Sequence, residues 1–356
     1  MLRRDEIGSE FWNVPITDRT NHLFPASIQW YISGRSALQA IIKELKGVRT
    51  VAMPSWCCHT MIKPFIDSGI AVSFYPVYYD KKSKRLQQEI DTSCDALFLM
   101  DYFGYTGETE QKLLCKSSST IVIRDVTHSI FSYSYNDANY YFGSLRKWCG
   151  MWTGGYAWAE DGHSLFPGDK DNQEDGGFTQ LRKKAMELKN RYMHDWGRNG
   201  DISENKGYLS YYNQAERKLD NCGILSASDR DVRLAHNLDI ALIKKKRRAN
   251  AKILMEAFSD WLIFPELRQN NCPLSVPILV PNGKRDDVKK RLIGQKIYCP
   301  VHWPISEYHR LDEVWMDSKE LYHSELSLVC DQRYDKGDMD RLVDTLQICL
   351  RENRKC

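Results

Sequence analysis

A series of short, continuously apolar runs set between segments of helical period constrains this chain more than any other feature. TVAM (50–53), AVSFYPV (71–77), ALFLM (96–100) and TIVIR (120–124) are β-rich runs without regular polar alternation. A strand with one face in water alternates, so such runs point to a parallel sheet covered on both faces by helices. Between them, SALQAIIKELK (36–46) places Leu38, Ile41, Ile42 and Leu45 on one helical stripe, with Ser33-Gly34 supplying a turn and a cap. A second helix is expected over 58–68, ending at Gly69. The expected class is α/β.

FGSLRKWCGMWTGGYAWAE (142–160) reads as a loop, a tight Gly-Gly pair and a strand. From 161 to about 222 the texture is polar and Gly-rich, with a charged helix over TQLRKKAMELKNRYMHDW. One long helix is expected over 229–258, its KKKRR run (244–248) forming a solvated face. CPLSVPILV (272–280), a helix over 284–294 and IYCPVHW (297–303) suggest a β-α-β lobe closed by a helix at 337–351. The division expected is a large domain, 1–245, and a smaller C-terminal domain, 246–356; residues 1–20 form an N-terminal arm available to pack on the small lobe.

Composition removes several classes of function. With 50 Lys and Arg against 47 Asp and Glu, the net charge of +3 is too balanced for a dedicated nucleic-acid binder. The 11 cysteines include no CxxC pair, so neither a zinc ribbon nor a disulfide framework is expected, and the pattern fits a reducing cytosol. MLRRDEIGSEFWNVP lacks the apolar core of a signal peptide, and no apolar run approaches the ~18 residues of a membrane span. The expectation is a cytoplasmic protein with no membrane, metal or nucleic-acid partner.

In open α/β sheets, ligands bind beyond the carboxyl ends of the strands. Three segments bring reactive groups there. Ser33-Gly34-Arg35-Ser36 opens a helix, where free N–H groups, the helix dipole and a cation suit a phosphate; alone it reads more readily as an ordinary capped helix. Asp125 follows the apolar TIVIR strand, with Thr127 and His128 beyond it. A carboxylate there needs a cation or a ligand, or else caps the next helix. Ser144-Leu145-Arg146-Lys147 precedes the strand GGYAWAE. A lysine among apolar and aromatic residues becomes a competent amine nucleophile, although most lysines are simply surface groups.

Taken together, SGRSAL (33–38), VAMPSWCCHTMIKPFIDSGIAVSFYPV (51–77), ALFLMDYFGYTGE (96–108), VIRDVTHS (122–129), SLRKWCGMWTGGYA (144–157), YCPVHWPIS (298–306) and CDQRY (330–334) resemble the DegT/StrS group of nucleotide-sugar aminotransferases. This group belongs to the fold-type-I pyridoxal 5'-phosphate (PLP) enzymes. The resemblance implies a large domain with a mainly parallel seven-stranded sheet between helices, a smaller α+β lobe, PLP as cofactor and a homodimer. It implies that Lys147 bonds the cofactor covalently and that Asp125 holds the proton on its ring nitrogen. His128 would lie by the ring or its phenolic oxygen, and Gly34, Arg35 and Ser36 would receive the phosphate. The chain departs from the group in four places, one of them the aromatic ring usual near Cys58. Arg35 stands where a Thr is usual, Ser144-Leu145-Arg146 replaces the usual approach to the lysine, and no Asn-x-Arg-Met segment is recognisable around 224–234. Ser144 is then a second phosphate ligand, and His59 or Trp56 takes the place of the aromatic ring that stacks on the cofactor.

The implied activity is transfer of an amino group from an amino acid, glutamate, to a nucleotide-linked keto sugar in surface-polysaccharide or amino-sugar biosynthesis. His302, Trp303 and Arg333 are the candidates for substrate contact, with lobe packing and a structural salt bridge as their plainer readings. The alternatives are another fold-type-I PLP enzyme, an amino-acid transaminase or lyase, and a catalytically silent binding subunit. Retention of both Asp125 and Lys147 argues against the silent form. Apolar positions Leu181, Met186, Leu188 and Met193 suggest a hydrophobic face that a partner subunit would cover.

Overall fold

The computed structural model describes residues 6–90, 93–105, 120–132, 136–171, 177–199, 207–220, 222–281, 283–311 and 313–352. The end of the ALFLMDYFGYTGE stretch lies outside them. From the N-terminus come β1 (Ile7–Gly8), β2 (Gln29–Tyr31), α1 (Gly34–Glu44), β3 (Thr50–Pro54) and α2 (His59–Asp67). Next are β4 (Ala71–Tyr75), β5 (Val77–Asp80), β6 (Arg85–Gln88), β7 (Ala96–Met100), β8 (Ile121–Asp125), β9 (Tyr140–Ser144) and β10 (Gly155–Ala159). Helices α3 (Phe178–Asn199), α4 (Gly207–Lys218), α5 (Asp229–His236) and α6 (Ile240–Ala257) follow. The remainder holds β11 (Val276–Leu279), α7 (Arg285–Gly294), β12 (Ile297–Tyr298), α8 (Lys319–Ser324), β13 (Glu325–Leu328) and α9 (Lys336–Glu352).

The chain is of mixed α/β class and divides into two compact units, residues 10–47 with 139–240, and residues 3–9 with 48–138 and 241–356. Seven strands make up its mainly parallel sheet. Four fall in the second unit in the order β8-β7-β3-β4, all parallel, with Ala96 opposite Ile121 and Thr50 opposite Ala71. All five residues of β7 and four of five in β3 and β8 are buried, which is why these runs carry no polar alternation. AVSFYPV does not continue as one strand. Pro76 has no N–H to give a ladder, and the chain turns there into the β5-β6 hairpin.

The expected β-α-β lobe is assembled differently. β11 pairs antiparallel with β13, while β12 pairs in parallel with β1. The KKKRR run is not wholly a solvated face either. Arg247 is fully buried and donates to Gln332 and to the Pro273 and Leu274 carbonyls, so it braces the lobe from within.

In the first unit, β10 lies between β2 and β9, antiparallel to both. α3 and α4 form a helical pair. Phe178, Ala215 and Leu219 enclose Ile32, and Leu181 packs on that cluster. Ala185, Tyr192, Tyr208 and Tyr212 form a second cluster that takes in Leu188 and Met193. The apolar face read from the sequence is therefore covered substantially within the chain. The single helix expected over 229–258 is two, because the 237–239 backbone is taken by residues 15–17. Thr17 N–H donates to Asn237 O (2.9 Å), and Asp239 N–H to Pro15 O (3.0 Å).

Candidate active site

In the first unit, three sequence segments meet. Ser33 caps α1, its Oγ accepting from the Ser36 N–H at 3.1 Å. Gly34 packs against β9, where an added Cβ would make ordinary contact, 3.4 Å from Gly143 O and 3.5 Å from the Ser144 Cβ. Gly155 is tighter still, since an added Cβ would sit 2.0 Å from Ser33 O. Gly154, at φ +130°, closes the turn and accepts from the Leu145 N–H at 2.8 Å. Ser144 begins a single 3-10 turn, Leu145–Lys147, and its Oγ accepts from the Arg146 N–H at 3.4 Å. Lys147, half-buried, ends that turn between the buried Leu145 and Trp148.

The loop after Lys147 is pinned by Asp231, a residue the sequence reading missed. Its buried carboxylate accepts from the Thr153 N–H (2.8 Å), the Thr153 hydroxyl (2.7 Å) and the Ser228 hydroxyl (2.9 Å). Ser228 in turn caps α5 through the Asp231 N–H. The spacing Ser228-x-x-Asp231 at a helix start was a legible signal for a capping pair.

The charges beside α1 compensate one another. Arg35 pairs with Asp220 at 2.8 Å, so its guanidinium is directed to a carboxylate of this chain. Ser36 Oγ donates to Gly223 O (3.2 Å) and accepts from the Leu225 N–H (2.9 Å). Arg146 pairs with Glu216, with Arg182 3.8 Å from the same carboxylate. Burial alone would push the Glu216 carboxyl up, but Arg146, Arg182 and Arg35 outweigh it and hold it below its ordinary value.

In the second unit, Asp125 is the last residue of β8 and 1% exposed. Its Oδ1 accepts from the Thr127 N–H at 2.8 Å, which orients the carboxylate at the strand end. The neighbouring Arg124 is fully buried and ion-paired to Asp101 (2.7 Å) and Asp137 (3.1 Å); Ser129 Oγ donates to Asp101 at 2.5 Å. His128 Nδ1 accepts from the Phe103 N–H at 3.3 Å, so the neutral ring carries its hydrogen on Nε2. The same ring stacks on Trp303 (5.6 Å, 13°) and meets His302 edge-on (5.4 Å, 79°).

Of the two candidates near Cys58, Trp56 is buried and stacked on Tyr102 (5.0 Å, 11°), and it meets Trp303 edge-on at 5.5 Å. His59 opens α2 and is half-buried. Arg333 is clasped by Asp331, with Nε to Oδ1 at 2.9 Å and an NH2 nitrogen to Oδ2 at 2.8 Å, and it also donates to Ser9 O at 3.2 Å. Its bidentate carboxylate partner thus comes from this chain. Within the second unit, then, Asp125 neighbours the His128–Trp303–His302 cluster in sequence or in space. Within the first, Gly34, Ser144 and Lys147 share one small region.

No family model and no curated protein sequence matches this chain. Solved structures do. A DegT/DnrJ/EryC1/StrS aminotransferase from Brucella abortus aligns at a TM-score of 0.57 and 16% identity over 90% of this chain and 85% of its own. NtdA from Bacillus subtilis, solved with bound cofactor PMP, aligns at 0.60 and 14% identity over 91% of this chain and 73% of its own. PseC of Helicobacter pylori, an aminotransferase involved in the biosynthesis of pseudoaminic acid, aligns at 0.58 and 14% identity, covering 97% of this chain and 100% of its own. The chain has the fold of these aminotransferases, the fold-type-I α/β architecture expected from its sequence.

Proposed function

We propose that this protein is a PLP-dependent aminotransferase that moves an amino group from glutamate to a nucleotide-linked keto sugar. One observation carries the reading: the packing of the Ser33–Ser36 helix start, the Ser144–Lys147 turn and the Gly154-Gly155 pair into one region that leaves no room for a side chain at 155. A helix N-terminus beside a lysine-bearing turn suits a phosphorylated aldehyde, because the N–H groups take the phosphate while the amine takes the carbonyl carbon.

In the first unit the helix start and the lysine-bearing turn fit the cofactor's phosphate and aldehyde, and its other contacts are those that the resemblance implies. Gly34, Arg35, Ser36 and Ser144 would hold its phosphate, Lys147 its aldehyde carbon, and the buried Asp125 its ring nitrogen, with His128 and His59 beside the ring. Bound there, PLP supplies an electron sink for the substrate carbon. Lys147 Nζ takes the proton from the amino acid's Cα and returns it to the acceptor. The Asp125 carboxylate keeps a proton on the ring nitrogen, an interaction strengthened by burial. His302 and Trp303 contact the acceptor, and Arg333, clasped by Asp331, braces that lobe.

The reading places cofactor binding in residues 1–245 and a smaller domain in 246–356. It makes the protein a cytoplasmic homodimer of amino-sugar or surface-polysaccharide biosynthesis, and sedimentation as a monomer at micromolar concentration would overturn the dimer. The likeness to PseC, an aminotransferase of pseudoaminic acid biosynthesis, supports sugar chemistry. In the direct test, protein with PLP turns yellow, bleaches with glutamate and recovers its colour with a nucleotide-linked keto sugar. Borohydride reduction then places the pyridoxyl label on Lys147. Recovery with keto acids alone refutes the sugar acceptor; a label on another lysine refutes the site.

A further inference from the structure

Glu325 opens β13 with no exposed surface, and its two carboxyl oxygens have different partners. Oε2 accepts from the His302 backbone N–H at 2.7 Å. Oε1 accepts from Ser327 Oγ at 2.6 Å, and Ser327 Oγ lies 2.9 Å from His302 Nδ1. A chain of hydrogen bonds thus runs from a buried carboxyl through one hydroxyl to a histidine ring. That ring meets His128 (5.4 Å), Phe103 (5.3 Å) and Trp303 (5.3 Å) edge-on.

A hydroxyl has one hydrogen, so the chain has a direction. When Glu325 is ionised, Ser327 donates to it and must accept from His302 Nδ1–H, which leaves Nε2 as an acceptor. When Glu325 is protonated, the hydrogen sits on Oε1, because Oε2 already faces an N–H. The carboxyl then donates to Ser327, the hydroxyl turns to Nδ1, and Nε2 carries the hydrogen.

We propose that Glu325, acting through Ser327, sets which nitrogen of His302 is protonated, and so whether Nε2 offers the substrate a donor or an acceptor. This rests on the reading of His302 as a substrate-contacting residue; Glu325 and Ser327 are positioning residues. Burial pushes the Glu325 carboxyl up to about 8, against the pull of the Ser327 and His302 hydrogen bonds and of Arg285 and Lys289 on α7. Arg285 also donates to the Glu325 carbonyl at 3.0 Å, and the Cys299 thiol, itself pushed up to about 12 chiefly by burial, feels the same carboxylate. The paired strand β11 (VPIL) brings no titratable side chain.

The test is the ring nitrogen shifts of His302 in histidine-labelled protein from about pH 7 to about pH 10. The wild type is expected to pass from the Nε2–H to the Nδ1–H pattern near pH 8. Glu325→Gln is expected to hold the Nε2–H pattern throughout, because its amide NH2 must donate to Ser327 while its carbonyl accepts from His302. Ser327→Ala breaks the link, so its ring no longer follows Glu325. One tautomer across the whole range in the wild type, or an unchanged transition in Ser327→Ala, overturns the proposal. These shifts need neither cofactor nor substrate, so they stand apart from the functional reading. In the active enzyme, KM for the acceptor is expected to change roughly two- to tenfold across the same transition, the worth of one neutral hydrogen bond. A KM that ignores a demonstrated tautomer change overturns the substrate-facing half.

Discussion

Replacing Gly155 with alanine tests whether the three segments of the first unit are held as tightly as their geometry demands. The added Cβ would lie 2.0 Å from Ser33 O, 2.2 Å from Ser33 C and 2.9 Å from Gly34 N. All three are backbone atoms, so no rotamer change relieves the clash. Real Cβ atoms essentially never come within 3.0 Å of a neighbour, which means β10 and the start of α1 must part by about 1 Å. Overpacking costs ~1–3 kcal/mol, and each weakened hydrogen bond of the ladder or the cap adds ~1 kcal/mol. We expect a loss of about 3 kcal/mol, read as a urea midpoint lowered by about 1 M at a slope of about 3 kcal/mol per M. Gly223→Ala is the control, since a Cβ there meets nothing within 4 Å. It should leave the midpoint within about 0.2 M of the wild type. A Gly155→Ala protein as stable as that control would refute the close packing, and with it the argument that brings Lys147 beside a helix N-terminus.

Asp125→Asn should keep PLP bound but cut turnover by ~10²–10⁴, as expected for a positioned charge; near-normal steady-state rates would reject its role. Arg124→Met leaves the buried Asp101 and Asp137 carboxylates without their cation and should cost ~3–5 kcal/mol in urea unfolding. A change under about 1 kcal/mol would show that the three charges are not coupled. His309 is held at about 4 by burial and, to a lesser degree, by His59, despite opposing hydrogen bonds with Cys57 and Ser306. Its folded pKa lies below the ordinary 6.5, so the unfolded chain binds the proton first, and stability present above that value is lost as pH falls from 6.5 to about 4. The loss is on the order of 2–3 kcal/mol. His309→Gln should flatten the fall in urea midpoint between about pH 7 and about pH 4.5, and an equally steep fall in that variant would refute the assignment.

The α/β class was legible because its signal is local. A strand buried on both faces is apolar wherever its side chains lack a polar partner: β7 is apolar throughout, and β8 until Arg124 and Asp125 at its end. The Gly-Gly pair before β10 was legible for the same reason, since a tight approach of backbones needs glycine. Local signals also misled. The long helix over 229–258 is broken at 237–239 by backbone partners in residues 15–17, which no helical periodicity records. KKKRR has the composition of a wet surface, yet Arg247 finds carbonyl partners at Pro273 and Leu274 and is buried.

Legible in the residues alone were therefore the buried parallel strands, the first helix and the kind of reactive group at three element ends: a carboxylate ending β8, a lysine after β9, a capped glycine at α1. The partner of each charge came from the folded chain. Arg35 meets Asp220 across 185 residues, and Arg146 meets Glu216 across 70. Glu325, on the buried strand β13, accepts from the His302 N–H across 23 residues. Burial and periodicity are written residue by residue along a chain. The energy of a charge or a hydrogen bond depends on distances between residues far apart in sequence, and these exist only once the chain has folded.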